Sequence, residues 1–264
     1  MRTLSLSLLL LDASWALWTA ERRSVLSWLA LYSPSAYDRY AASYDDLDGG
    51  AMARQLGITE MRRKYVSELE GDVLEVCAGT GLNGAFLVKG AAKTRRTYVD
   101  LSAGMLEEAR KKDPDAAFVV ADATKLPFDA GSFDAVVESF CLCVVDDPET
   151  TLREMRRVVK PGGKIVLLDN ARPRQSLQAA FLDATGPLLD ATDLNKQCRP
   201  DKLDLDNILR DLDLFDVVRT DDFGLGFFRA FTLKPKVQKK LRQYPSYLGM
   251  LLFRRGPGGG ARIA

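Results

Sequence analysis

Between residues 71 and 168 strand-like and helix-like segments alternate, and this constrains the fold more than any other feature of the chain. Short apolar runs at 73–77, 97–100, 117–121, 133–139 and 164–168 have strand length and strand composition. Residues 82–88, 104–112 and 148–159 between them place apolar side chains at helical spacing, with Met105, Leu106 and Ala109 on one face. Such units join as parallel strands with crossover helices, so helices must cover both faces of one sheet. The expected architecture is α/β: a Rossmann-like, seven-stranded, mostly parallel sheet with an N-terminal helical extension. Helices at 177–189 and 205–212 and strands at 215–219 and 226–233 extend it, and Pro161-Gly162-Gly163 reads as a helix stop.

The first strand runs into Gly79-Thr80-Gly81-Leu82-Asn83-Gly84, a G-x-G-x-x-G turn that opens a helix. Glycines let such a turn bend sharply, and the helix start then aims free N–H groups at an anionic ligand. The turn alone also fits an ordinary βα connection, or a pyrophosphate site for NAD or FAD. Asp100 ends the next strand, where a carboxylate can accept both ribose hydroxyls or simply cap a helix. Asp122 ends the third strand and precedes Ala123. A carboxylate there can accept from an adenine amino group while the neighbouring N–H meets a ring nitrogen; a plain turn residue is the alternative. Leu101 and Met105 can pack on the faces of the base or belong to the core. Glu75 lies inside the first strand, where a carboxylate needs partners. It is expected to order the glycine turn or hold a ligand ammonium.

The chain has no histidine, which excludes a Ser-His-Asp triad, a Cys-His pair and any His-based metal centre. No metal site is expected. Cys77, Cys141, Cys143 and Cys198 form no C-x-x-C pair and suggest no disulfide framework. Cys141 and Cys143 would share a face if the fourth strand reached them, as small buried hydrophobes or as a metal or reactive pair. A net charge of +1 gives no bias toward nucleic acid, and no nucleic-acid partner is expected. Residues 233–264 nevertheless hold eight basic side chains and no acid. That tail is either a solvated end or a contact for an anionic surface such as a membrane.

Four segments follow. Residues 1–35 are an apolar targeting or membrane-associating segment, too broken by Asp12 to read as a plain span. Residues 36–70 form a helical lid, 71–233 the α/β domain, and 234–264 the basic tail.

The run from Val73 to Gly84 resembles motif I of class I S-adenosylmethionine-dependent methyltransferases. Asp100 resembles that family's ribose acid and Asp122-Ala123 its adenine site. Phe133-Asp134-Ala135-Val136-Val137 and Val159-Lys160-Pro161-Gly162-Gly163 are similar to its later motifs. Asp122-Ala123, Ser139-Phe140 and the Pro161 turn resemble the ubiquinone/menaquinone C-methyltransferases, with their type 11 methyltransferase domain. Tyr44-Asp45, Arg62-Arg63 and Leu142-Cys143-Val144 look closer to a branch holding the yeast mitochondrial oligomycin-suppressor methyltransferase and the mammalian thiol methyltransferase-like proteins. The chain departs from the pattern at Cys77-Ala78, where glycine often precedes the turn.

The resemblance implies S-adenosyl-L-methionine as cofactor and points to Thr80, Asp100, Asp122, Ala123 and Ser139 as contacts; the residue reading adds Tyr44, Glu75, Gly79, Gly81, Leu101 and Met105 to the expected set. It implies methyl transfer to a small, lipophilic or thiol-bearing acceptor, with a membrane surface as a second partner. It also implies a place at a mitochondrial or other organelle membrane, with the cytoplasm as the alternative. Tyr44, or Tyr40 beside it, could cover a sulfonium by cation–π contact or pack the lid. Glu138, Asp146, Asp147 and Asp169 are candidate bases, with helix capping as the alternative for Asp146 and Asp147. A weakly catalytic assembly factor and an NAD(P)-dependent oxidoreductase are the competing functions.

Overall fold

The computed structural model describes residues 34–48, 50–90, 94–191 and 203–236. Residues 1–33, which include most of the expected targeting segment, lie outside it, as do Cys198 and the basic tail from 237 onward. Among the described residues no helix is long and apolar enough to cross a membrane.

Three helices come first: α1 (Pro34–Asp48), α2 (Ala51–Gln55) and α3 (Ile58–Val66). Strand and helix then alternate through β1 (Asp72–Val76), α4 (Gly84–Gly90), β2 (Arg95–Asp100), α5 (Ala103–Lys112), β3 (Ala117–Val120), β4 (Phe133–Ser139), α6 (Pro148–Val158) and β5 (Val159–Asn170). The chain closes with α7 (Ser176–Ala191), α8 (Leu205–Leu212), β6 (Phe215–Phe223) and β7 (Phe228–Pro235). The sheet order is β3-β2-β1-β4-β5-β7-β6, parallel except where β7 runs antiparallel between β5 and β6. This is the Rossmann-like sheet that the alternation predicts. One expectation changes: Pro161-Gly162-Gly163 stops α6 but lies within β5. Gly162 at φ 84 absorbs a bulge that shifts the pairing with β4 between Phe133 and Ala135.

The period of two along each strand divides the core between the faces. Leu74, Val76, Val99, Val136, Ile165 and Leu167 point to the face covered by Leu152 and Met155 of α6 and Leu205 and Leu209 of α8. Val73, Tyr98, Ala135, Val137, Val166 and Leu168 point to the other, covered by Met61 and Tyr65 of α3, Leu87 of α4 and Leu106 of α5. Helix starts are set by side-chain caps. Ser102 accepts the Met105 N–H at α5, Asp147 the Thr150 N–H at α6, and Asp204 the Asn207 N–H at α8. α3 is anchored further by the Tyr65 hydroxyl, which donates to Asp221 on β6, and by the Lys64–Asp221 ion pair at 2.8 Å. Lys64 and Tyr65 hold the Asp221 carboxyl down at about 2.

The central strands β1 and β4 lead to opposite halves of the sheet. Their C-terminal ends therefore flank the crevice where an open parallel sheet binds ligands.

Candidate functional site

The glycine turn occupies that crevice. Cys77 bends the chain out of β1 at φ 51, and Gly79 and Gly81 follow at φ 54 and 73. Nothing stands within 4 Å of the point where a Gly79 side chain would begin, so the turn offers bare backbone to the cleft. A Cβ on Gly84 would lie 2.6 Å from the Tyr98 hydroxyl, so α4 can approach β2 only with hydrogen there.

Asp100 locks the turn from β2. Its Oδ2 accepts the Gly79 N–H at 2.8 Å and its Oδ1 accepts the Ser102 N–H at 2.9 Å. Burial pushes this carboxyl up, and the Ser102 and Gly79 N–H groups pull it back. Each oxygen has a second lone pair for a ligand hydroxyl. Asp122 stands at the adjacent strand tip. Val120 is the ladder partner of Asp100, and the Ala121 N–H donates to the Asp100 carbonyl at 3.1 Å.

The two acids differ in setting. Asp122 is exposed, and its Oδ1 accepts the Thr124 N–H and hydroxyl, both at 2.8 Å. It is a turn residue with its other oxygen available. Leu101, 52% exposed beside Asp100, offers a flat ring an apolar face. Met105 and Ala123 are buried and belong to the floor.

Below the turn, Asn83 joins two expected residues. Its Nδ2 donates to Glu75 Oε1 at 2.9 Å and to Ser139 Oγ at 2.8 Å. Asn83 was not singled out in the sequence; the signal was its place inside the glycine turn, in the variable part of the pattern. Glu75 Oε2 and Asn83 Oδ1 are buried acceptors without a donor among the described residues. Burial pushes the Glu75 carboxyl up to about 8, against the pull of Arg62 and Asn83. Orphaned acceptors beside an open glycine backbone suit a ligand that carries an ammonium group. A ribose for Asp100, an amino group for Asp122 and an ammonium near Glu75 together fit S-adenosylmethionine.

Helix α1 closes over this end through carboxylates. Asp38 accepts from the Ser102 hydroxyl at 2.5 Å and from the Gly104 N–H at 2.8 Å. Asp45 accepts from the Thr80 hydroxyl and pairs with Lys112, whose ammonium also donates to the Thr80 carbonyl at 2.9 Å. Thr80, an expected ligand contact, therefore spends its hydroxyl on the lid. Tyr44 is half-buried next to Asp45, while the side chain of Tyr40 lies outside the described part. Asp38 escaped notice, and Asp45 was quoted only as the neighbour of Tyr44, because acids on a surface helix read as a solvated face.

The candidate bases each have a structural setting of their own. Asp147 caps α6 and Asp146 is exposed. Glu138 and Asp169 are wholly buried, each with one oxygen lacking a donor among the described residues. Burial and the neighbouring Asp169 push Glu138 well up, and burial pushes Asp169 up to about 7. Burial disfavours the charged form of each, and the like charge of Asp169 adds to this at Glu138. They accept from backbone N–H groups at Cys141, Leu142, Cys143 and Asn170, and so support the loop after β4.

The cysteine reading also changes. β4 ends at Ser139, and Phe140 turns the chain at φ 58. Cys141 is thereby carried to Cys77, with which it forms a disulfide, and does not line up with Cys143 along an extended strand. Two open hollows, one lined by Glu68, Asp134 and Lys160 and one by Asp72, Arg95 and Asp115, lie at the N-terminal ends of the strands. That is the wrong end for a ligand in this sheet.

Residues 74–167 match the family described as "Methyltransferase domain". A demethylmenaquinone methyltransferase of Renibacterium salmoninarum is 37% identical over 145 residues, covering 52% of this chain and 60% of its own. A 2-phytyl-1,4-naphtoquinone methyltransferase of Trichormus variabilis is 34% identical over 168 residues, covering 58% of this chain and 73% of its own. The chain thus spans less than two thirds of the first relative's length. The crystal structure of a SAM-dependent methyltransferase from Aquifex aeolicus matches with a TM-score of 0.55 at 19% identity, covering 76% of this chain and 97% of that one. At that identity the likeness speaks for the fold.

Proposed function

Because the chain belongs to the class I S-adenosylmethionine-dependent methyltransferases, we propose that it methylates a ring carbon of a small, lipophilic quinol-type acceptor. The observation that carries the cofactor half of this reading is the Asp100 carboxylate gripping the Gly79 N–H at 2.8 Å, one strand from Asp122. That grip sets an acid, an open glycine backbone and a second acid along one edge of the crevice. The acceptor class rests on the relatives, which are named for demethylmenaquinone and 2-phytyl-1,4-naphthoquinone. The comparisons favour neither the oxidoreductase nor the assembly-factor alternative.

Bound cofactor supplies a methyl group already activated on a sulfonium. What the chain adds is position and dryness, which together are worth roughly 7–11 kcal/mol in a well-oriented reaction. In this reading Asp100 holds the ribose hydroxyls, and Asp122 with the Ala123 N–H selects the base. Leu101 covers the base on one side. Glu75, oriented by Asn83, faces the ammonium of the amino-acid arm. Asp38 and Asp45 hold α1 down and exclude water. Glu138 and Asp169 are positioning residues: closed off from the cleft, they fix the loop that follows Ser139. A histidine-free cleft suits an acceptor whose own hydroxyl ionises and activates the ring carbon, since no strong base is needed. The membrane surface and organelle location belong to the same proposal, because a prenylated acceptor resides in lipid.

The test is transfer of a labelled methyl group from S-adenosylmethionine to demethylated quinols, with small thiols as the second acceptor set. Ring-methylated quinol as the product supports the proposal. Methylated thiol with no quinol product redirects it to the thiol branch.

A further inference from the structure

The bond between Cys77 and Cys141 has no part in holding cofactor or acceptor in the account above. Its Cα atoms are 5.9 Å apart, inside the span a disulfide bridges, and its ends are 64 positions apart in the chain. The cysteines leave neighbouring strands, since Val76 of β1 pairs with Glu138 of β4. A left-handed residue brings each into place: Cys77 itself at φ 51, and Phe140 at φ 58 just before Cys141. Gly79, which donates to Asp100, lies two residues beyond Cys77. Ser139, which receives Asn83, lies two residues before Cys141. The bond therefore ties the turn proposed to hold the amino-acid arm to the loop that follows β4. Its two ends are unequally accessible: Cys141 is 1% exposed, whereas Cys77 is only partly buried.

We propose that Cys77 and Cys141 form a reversible thiol–disulfide site, exchanging with low-molecular-weight thiols of the glutathione class, and that the closed bond preorganises the cofactor cleft. Opening begins when a glutathione thiolate attacks the more accessible Cys77 sulfur. The protein S–S bond breaks, and Cys141 leaves as a thiolate that takes a proton from water. A second glutathione thiolate attacks the glutathione sulfur of the mixed disulfide and releases Cys77. Two protein thiols are gained and one oxidised glutathione is formed; closing is the reverse, with oxidised glutathione as the oxidant. The exchange stands independently of function, while its effect on affinity rests on the methyltransferase reading.

The test equilibrates the full chain in glutathione buffers from oxidised to reduced, quenches with acid, alkylates, and maps the cross-link by mass spectrometry. Calorimetry with S-adenosylhomocysteine follows on the same samples. The cross-link should rise and fall reversibly with the glutathione ratio. The Kd should be about tenfold higher in the reduced form, because ordering two loops on binding costs affinity. Cys141→Ala and Cys77→Gly, the latter suited to a positive φ, should each bind with the reduced-form affinity at every ratio. Near-UV circular dichroism checks that all forms stay folded. A cross-link absent at every ratio, one that opens only on unfolding, or one that opens with no change in Kd overturns the proposal. Reversible exchange with no binding in either form sinks the methyltransferase reading and the affinity effect with it. Binding without exchange sinks only the thiol couple.

Discussion

The two halves of the sheet treat acidic residues at strand tips in opposite ways. On the β1–β2–β3 side, Asp100 is surrounded by backbone N–H groups from the glycine turn and the start of α5, and Asp122 stands in solvent. On the β4–β5 side, Glu138 and Asp169 are electrostatic neighbours, both out of reach of water. A carboxylate fed by N–H donors stays an acceptor and can take a ligand hydroxyl. A carboxyl buried out of water near a like group is held toward its neutral form and acts as a post. Position at a strand end therefore does not decide a role: backbone N–H groups feed all three carboxyls, and complete burial sets Glu138 and Asp169 apart from the half-buried Asp100.

The largest expected effect lies in the first half. Asp100→Ala removes the acceptor for Gly79, for Ser102 and for a ribose, and should raise the Kd for S-adenosylhomocysteine about 100-fold by calorimetry. A change under threefold would erase the distinction between the halves.

The second half should announce itself through pH. Glu138 and Asp169 of this half, joined by Glu75 on β1 of the first half, are pushed above the ordinary carboxylate range in the folded state. Unfolding releases their protons once the pH exceeds the ordinary range of about 4. Their favourable contribution is thus complete at low pH and is lost as pH rises toward the values of about 7 and 8 for Asp169 and Glu75. Thermal melts should show Tm falling from pH 5 to pH 8 by several degrees, and Glu138→Gln should flatten the fall. A variant with the same slope as the parent would place the proton elsewhere.

Asp122→Ala should raise the S-adenosylhomocysteine Kd about tenfold, the scale of one hydrogen bond to a charged group, with Tm shifted by no more than about 2 °C. A loss of Tm without a loss of affinity would make Asp122 a turn residue only. The smallest effect is expected at the lid. Asp45→Asn weakens a half-exposed ion pair with Lys112 and should raise the Kd only about threefold, most clearly at low salt.

The glycine turn and the acids near the strand ends were legible because their information is local. A strand, a glycine turn and a helix occupy 19 consecutive residues, 72–90, and Asp100 closes and Asp122 closely follows a strand whose apolar run is visible by itself. The rest depends on residues that meet only when the sheet forms. The Cys77–Cys141 bond, the burial of Glu138 near Asp169, and the carboxylates of α1 over Ser102 and Thr80 leave no local trace. Pro161-Gly162-Gly163 misled differently: its composition marks a break, yet a bulge lets β5 run through it. Asn83 was passed over because the glycine pattern allows any residue at its position, although a buried Glu75 had to find a donor somewhere nearby.

The central claim is that Asp100 and Asp122 hold opposite ends of an adenosine whose amino-acid arm lies over the glycine turn. A crystal structure grown with S-adenosylhomocysteine tests it most directly. Ribose hydroxyls are expected on Asp100, the adenine amino group on Asp122 with Leu101 against the ring, and the amino-acid arm over Gly79 and Gly81. Ligand density at another edge of the sheet, or an adenosine that leaves both carboxylates untouched, would contradict it.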